Sequence, residues 1–376
     1  MPDAPAFPPN DENRIVCRAT VYRASERAEK WHISKRLQKC QGRPADIAVK
    51  RYLIAFLKFA VPVGIVAWLL ATVRPDQYEQ FLERPKNWPL LLAALVIVFT
   101  AVAVTFVRWY LLVRALQLRF RLTDAFRLGF LGYLFNFVVV GSIGGDLFKA
   151  VFIAREQPGR RAEAVATVML DRIVGVYALV LLTSAAILGG GIPRPTVEVK
   201  TICHLTLACA ALGAVAIAVA MLPGFASGPV ARFLTRLPKI GRILDRLISA
   251  LRIYRTRWVT VGITVLMSIG SHALFALAFY FIAQAMFAHV PTLREHLILV
   301  PLGMVAGSLP LAPGGFGAFE FAIRELYEII PADPAVDVAG VLVALVYRLL
   351  TILVAAIGVV IYWCSLRAQK HRTRSR

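Results

Sequence analysis

The stretch "VVVGSIGGDLFKAVFIARE", residues 138–156, interrupts an apolar chain with two adjacent glycines, an aspartate and a lysine. A helix that crosses a bilayer core of about 30 Å needs about 20 predominantly apolar residues in succession. The valines approach such a run, and Gly144, Gly145, Asp146 and Lys149 end it early. The fold turns on whether this is one damaged span or the turning point of two shorter limbs.

The surrounding chain is that of a membrane protein. Of its 376 residues, 58% are hydrophobic and only 17% charged, whereas a soluble domain is nearer half apolar and a quarter charged. Six runs are long enough to cross: roughly 52–73, 88–112, 164–190, 201–222, 258–286 and 338–364. The net charge of +21 does not point to nucleic acid. The basic residues gather between apolar runs and at the ends, the pattern of cytoplasmic loops facing anionic headgroups. Five scattered cysteines and six scattered histidines form no metal-ligand spacing, and there is no phosphate-binding GxxxxGK[ST] loop. Neither metal nor cofactor is expected.

Loop charges orient the runs. Basic residues are dense before residue 52, over 108–127 (Arg108, Arg114, Arg119, Arg121, Arg127), over 149–161, over 223–257 and from Arg367 onward. All of these are expected in the cytoplasm, both termini included. The linkers 191–200, 287–295 and 331–337 are poor in Lys and Arg and are expected outside. Two cytoplasmic stretches, 108–127 and 149–161, therefore flank one apolar segment, which a single crossing cannot satisfy. The limb 128–141 would be about 21 Å long as a helix and the limb 146–155 about 15 Å, both short of a full crossing. The expected object is a re-entrant hairpin turning at Gly144 and Gly145.

A second such object lies at 296–330, with short apolar limbs around Pro313, Gly314 and Gly315. Each break has a Gly-Gly pair, then a near-copy ("FIARE" at 152–156, "FAIRE" at 321–325), then a run with an internal arginine, Arg172 or Arg348. The expected fold is thus an all-α polytopic membrane protein. Six spanning helices and two re-entrant helical hairpins would form an inverted repeat, since units of three crossings in tandem have opposite orientations. The expected parts are a basic tail 1–50, a first membrane repeat 51–190, a second repeat 201–365 and a basic tail 366–376. The second repeat carries an amphipathic cytoplasmic segment, 226–257.

Several polar residues in apolar surroundings are candidates for substrate binding, each with a structural alternative. Asp171 and Arg172 fall inside a run, where a charge is costly and usually functional or paired. Arg172 either pairs with a neighbouring helix or meets an anionic headgroup, for which the planar guanidinium fork suits phosphate. Arg348 is its counterpart. Asp146 and Lys149 follow the first break; Asp146 could cap a short helix, bind a ligand, or both. Asn136 could bond a ligand or join helices. Glu320 has Arg324 four residues later as an intrahelical partner. His204 and His272 are expected at interfacial or packing positions.

"GSIGGDLFKAVFIARE", "AVATVMLDRIVGVYAL" and "PLAPGGFGAFEFAIRELY" resemble the lysylphosphatidylglycerol synthase transmembrane family. The resemblance covers nearly all of 50–365. It implies a flippase-like membrane domain that moves a lipid between leaflets of a bacterial inner membrane. In the multiple peptide resistance factor this domain precedes a soluble synthase. The present chain has no room for one after its last span, so aminoacyl transfer is not expected of it. The expected partners are a membrane lipid as substrate, anionic headgroups at the cytoplasmic face and a lipid-synthesis enzyme. A membrane-embedded enzyme acting on a lipid-linked substrate is the alternative, and a non-transporting scaffold a third reading.

Overall fold

A computed structural model describes residues 64–138, 144–190, 196–221, 228, 235, 241, 254–308, 317–331, 333, 336 and 338–374. The helices below belong to the unit Lys58–Arg376. Among the described residues the chain is helical, with no strand. In chain order the helices are α1 (Pro75–Glu83), α2 (Trp88–Ala115), α3 (Leu122–Val138), α4 (Gly144–Glu156) and α5 (Arg161–Leu188). Then come α6 (Val197–Met221), α7 (Trp258–Met286), α8 (Leu293–Gly307), α9 (Ala318–Ile329) and α10 (Gly340–Arg374).

Five of these are long and apolar enough to cross a bilayer: α2, α5, α6, α7 and α10. This is a multi-pass membrane protein. Of the sixth expected run, 52–63 lies outside the described residues and 64–71 is helical. The tail 1–50, the segment 226–257 apart from a few residues, and the turn Pro313, Gly314 and Gly315 also lie outside them. At the other end α10 runs through to Arg374, so helix continues into most of the expected 366–376 tail.

The helix ends follow from local chemistry. The Asn87 side chain accepts the Leu90 N–H at 3.3 Å and starts α2, with Pro89 in its first turn. Thr292 and Glu295 form a capping box at the start of α8, with the Thr292 N–H donating to Glu295 Oε2 at 2.7 Å. Gly317, at φ +86°, precedes α9 in a conformation that costs other residues a steric penalty.

The centre is the crossing of α2 and α7. Val98, Val102 and Phe106 join Phe275, Phe279 and Ile282 in one buried cluster. Alanines 94, 101, 276 and 283 let the backbones approach, which matters where lipid gives no hydrophobic drive for helix association. Around this crossing the contacts are symmetric. Exchanging α2–α5 with α7–α10 maps α3·α4 onto α8·α9, α4·α5 onto α9·α10, and α3·α10 onto α8·α5. It also maps α2·α3 onto α7·α8, α2·α5 onto α7·α10, and α5·α7 onto α10·α2. Helix α6 stands apart, seated on α5 by the Tyr177 hydroxyl donating to the Ala210 carbonyl at 3.1 Å.

The opening stretch is two short helices in contact, α3 and α4, about 25 Å and 20 Å long. Gly144 and Gly145 are not the turn between them. They are the first residues of α4, and the connection 139–143 lies outside the described residues. Gly145 serves close approach: a Cβ there would stand 2.1 Å from the Gly132 carbonyl oxygen of α3. The near-copies do not occupy matching positions either. "FIARE" closes α4, while "FAIRE" lies in the first two turns of α9. What matches is Asp146 and Glu320, each the third residue of its short helix.

Candidate functional site

Two adjoining cavities of about 200 Å³ lie where the short helices meet α2, α5, α7 and α10. The first is lined by Asn136 of α3, Asp146 and Lys149 of α4, and Asp171 and Arg172 of α5, together with Arg108 of α2. The second is lined by Arg172 and Arg348 with Phe319 and Tyr347. Arg172 and Ser308 border both. Seven of the eight polar candidates therefore converge: six line a cavity, and Glu320 stands directly behind Arg348. Arg324 does not join them. It borders a separate cavity beside α9 and pairs with Glu328 at 3.4 Å and Glu325 at 3.6 Å.

Each carboxylate holds one arginine. Asp171 accepts Arg108 Nε–H at 2.8 Å, and Arg108 also donates to the Ser268 hydroxyl at 2.8 Å and the Asp171 carbonyl at 3.2 Å. Arg108 is 6% exposed. Gly175 makes the space, since a Cβ there would stand 3.3 Å from Arg108 Nη1. Arg108 is thus a buried helix-joining charge, not one of the cytoplasmic loop charges with which its sequence neighbours group it. Asp171 takes the structural role left open for it: it pairs with a neighbouring helix.

Asp146 Oδ2 lies 3.1 Å from Arg172 Nη1, with side-chain exposures of 21% and 35%. Glu320 Oε1 accepts both Nε and Nη2 of Arg348, at 3.0 and 2.7 Å, while its Oε2 accepts the Gly317 N–H at 2.7 Å. Here the exposures are 0% for the carboxylate and 12% for the arginine. The expected Glu320–Arg324 pair gives way to this one because Glu320, at the start of α9, faces α10, and Arg324 turns toward the helix end. Arg348 also lies over the Phe319 ring, at 5.2 Å.

Asn136 closes the gap between the limbs by accepting the Gly145 N–H at 2.8 Å, thereby satisfying one free donor of α4. The Lys149 ammonium rests over Trp109 at 5.2 Å and Phe106 at 5.8 Å. Among the described residues it has no carboxylate within 4 Å.

Two residues at this site escaped sequence reasoning. Arg108 sits near the end of its run, where snorkelling is the ordinary reading. His272 is not at a run end. It lies midway along α7, bonds the Gly175 carbonyl at 3.1 Å, and borders the first cavity. A histidine centred in an apolar run was the available signal.

A protein-family model described as the lysylphosphatidylglycerol synthase TM region matches residues 54–358. That region is a membrane domain with a flippase-like, lipid-related role. No curated protein matches the chain.

Proposed function

From the membership of this chain in the lysylphosphatidylglycerol synthase transmembrane family, we propose that it is a lipid translocase. It moves an anionic lipid, phosphate-bearing or isoprenoid-linked, between the leaflets of a bacterial inner membrane without altering it chemically. The single observation that carries this reading is Arg172, which borders both cavities between the two short helix pairs. A headgroup held there by Arg172 can pass to Arg348 while its acyl chains stay in lipid. The guanidinium fork offers phosphate two parallel hydrogen bonds that an ammonium cannot.

In this reading α3/α4 and α8/α9 are re-entrant hairpins opening to opposite faces, and six spans complete an inverted repeat with both termini in the cytoplasm. The exchange symmetry of the helix contacts supports it. So does the matching of Asp146–Arg172 with Glu320–Arg348. Broken helices meeting near the midplane around a substrate site are a recurring transporter arrangement.

The test is headgroup exposure in proteoliposomes, read as quenching of a labelled lipid from outside. Arg172→Ala and Arg348→Ala are each expected to slow transfer by roughly tenfold or more, the size of a lost charged hydrogen bond. Transfer at the native rate in both variants overturns the mechanism. Chemical turnover of the lipid in the same vesicles would identify a membrane-embedded enzyme instead.

A further inference from the structure

We infer that the site selects a headgroup carrying one net negative charge, a phosphodiester, over a diphosphate or a zwitterion, and that Lys149 supplies the positive charge this headgroup answers. The inference rests on the translocation reading above and narrows its substrate class.

It comes from counting charge at the two cavities. The described cations at the two cavities are Arg108, Lys149, Arg172 and Arg348. The carboxylates are Asp146 and Asp171, with Glu320 directly behind Arg348. Each carboxylate is matched to one arginine, so three cations are neutralised within the protein. The helix ends add little. The Gly145 N–H is taken by Asn136 and the Gly317 N–H by Glu320, and both first turns carry an acidic residue. The connections 139–143 and 309–316, which adjoin the cavities in sequence, contain no ionisable residue. Among the described residues one positive charge remains in this sum, assigned to the Lys149 ammonium over Trp109 and Phe106, which has no described carboxylate within 4 Å.

A partly buried site holds a charged ligand best when the sum is near neutral, because charge removed from water without a partner is costly. A phosphodiester brings the sum to zero. A diphosphate brings at least one charge too many, and a zwitterionic headgroup leaves the lysine unanswered. The aromatic faces attract the ammonium, and Lys149 borders the first cavity.

The test uses purified full-length protein in detergent and in vesicles, with three lipid probes of matched chains. These are dioleoyl phosphatidylglycerol, dioleoyl phosphatidylcholine and dioleoylglycerol diphosphate; free glycerophosphoglycerol is a fourth, chainless probe. Phosphatidylglycerol is expected to bind and transfer best, by roughly tenfold over the diphosphate, the scale of one charged contact. Phosphatidylglycerol is likewise expected to bind more tightly than phosphatidylcholine; Lys149→Gln is expected to abolish that second preference, and Lys149→Arg to keep it. A diphosphate bound as tightly as phosphatidylglycerol, or a preference over phosphatidylcholine unchanged in Lys149→Gln, overturns the charge-matching inference while transfer itself stands. Glycerophosphoglycerol binding as tightly as the lipid overturns the lipid source. Failure of every lipid probe to transfer overturns the translocation reading, and this inference with it.

Discussion

The sharpest consequence of the geometry is that the two matching ion pairs differ in how much stability they control. Glu320→Gln is the decisive change. The native carboxylate is fully buried and accepts three donors, two from Arg348 and one from Gly317. Glutamine has one acceptor oxygen, so its amide nitrogen must face a donor. The guanidinium, itself only 12% exposed, then loses its counter-charge. Removing one member of a buried pair costs about 3–5 kcal/mol. Asp146→Asn perturbs the equivalent pair, but Arg172 there is 35% exposed, and solvent reduces the expected cost to about 0–1 kcal/mol. The assay is thermal unfolding of purified protein in detergent, followed by loss of the monodisperse gel-filtration peak. Glu320→Gln should melt well below the native protein and Asp146→Asn close to it. The double variant Glu320→Leu with Arg348→Met should recover part of the loss, because no charge is then left uncompensated. Equal loss from the two single variants would refute the reasoning. So would a double variant no more stable than Glu320→Gln.

Other perturbations follow from the same packing. Gly145→Ala should separate α3 from α4, because the added methyl would meet the Gly132 carbonyl at 2.1 Å and Asn136 Oδ1 at 2.6 Å. Its folded yield should fall sharply while that of Gly262→Ala, which has nothing within 4 Å, stays native. Tyr327→Phe strips a partner 2.9 Å from buried His296 Nε2 and should cost about 1–3 kcal/mol in the same melting assay. Asp171→Asn leaves Arg108 buried beside a neutral group and should cost about 3–5 kcal/mol, with Asp171→Leu/Arg108→Met recovering part of it.

The stretch 138–156 shows how far sequence reasoning reaches. A run too short to span, charges on both flanks and a helix-breaking pair were enough to predict two short limbs, and α3 and α4 are such limbs. The position of Gly145 was not legible, because glycine serves a turn and a close helix contact equally well and only Gly132 opposite distinguishes them. Arg324 looked like the partner of Glu320 because helical spacing is a local rule. Arg348 wins the contact through a packing of α9 on α10 that spacing does not encode. Arg108 was hidden by the same limit, since its carboxylate lies on α5 and its hydroxyl partner on α7.

By itself, the sequence determined the class of the protein, five helices long and apolar enough to span, the short helices α3 and α4, and its family. Each of these depends on apolar length, on charge between runs or on a local motif, and all three are properties of neighbouring residues. Only the tertiary structure decided which carboxylate meets which arginine, that Arg172 borders both cavities, and that Lys149 rests over Trp109 and Phe106. Those facts depend on which helices lie side by side. In a membrane that choice comes from small-residue packing and buried polar pairing between distant segments, and no local pattern records it.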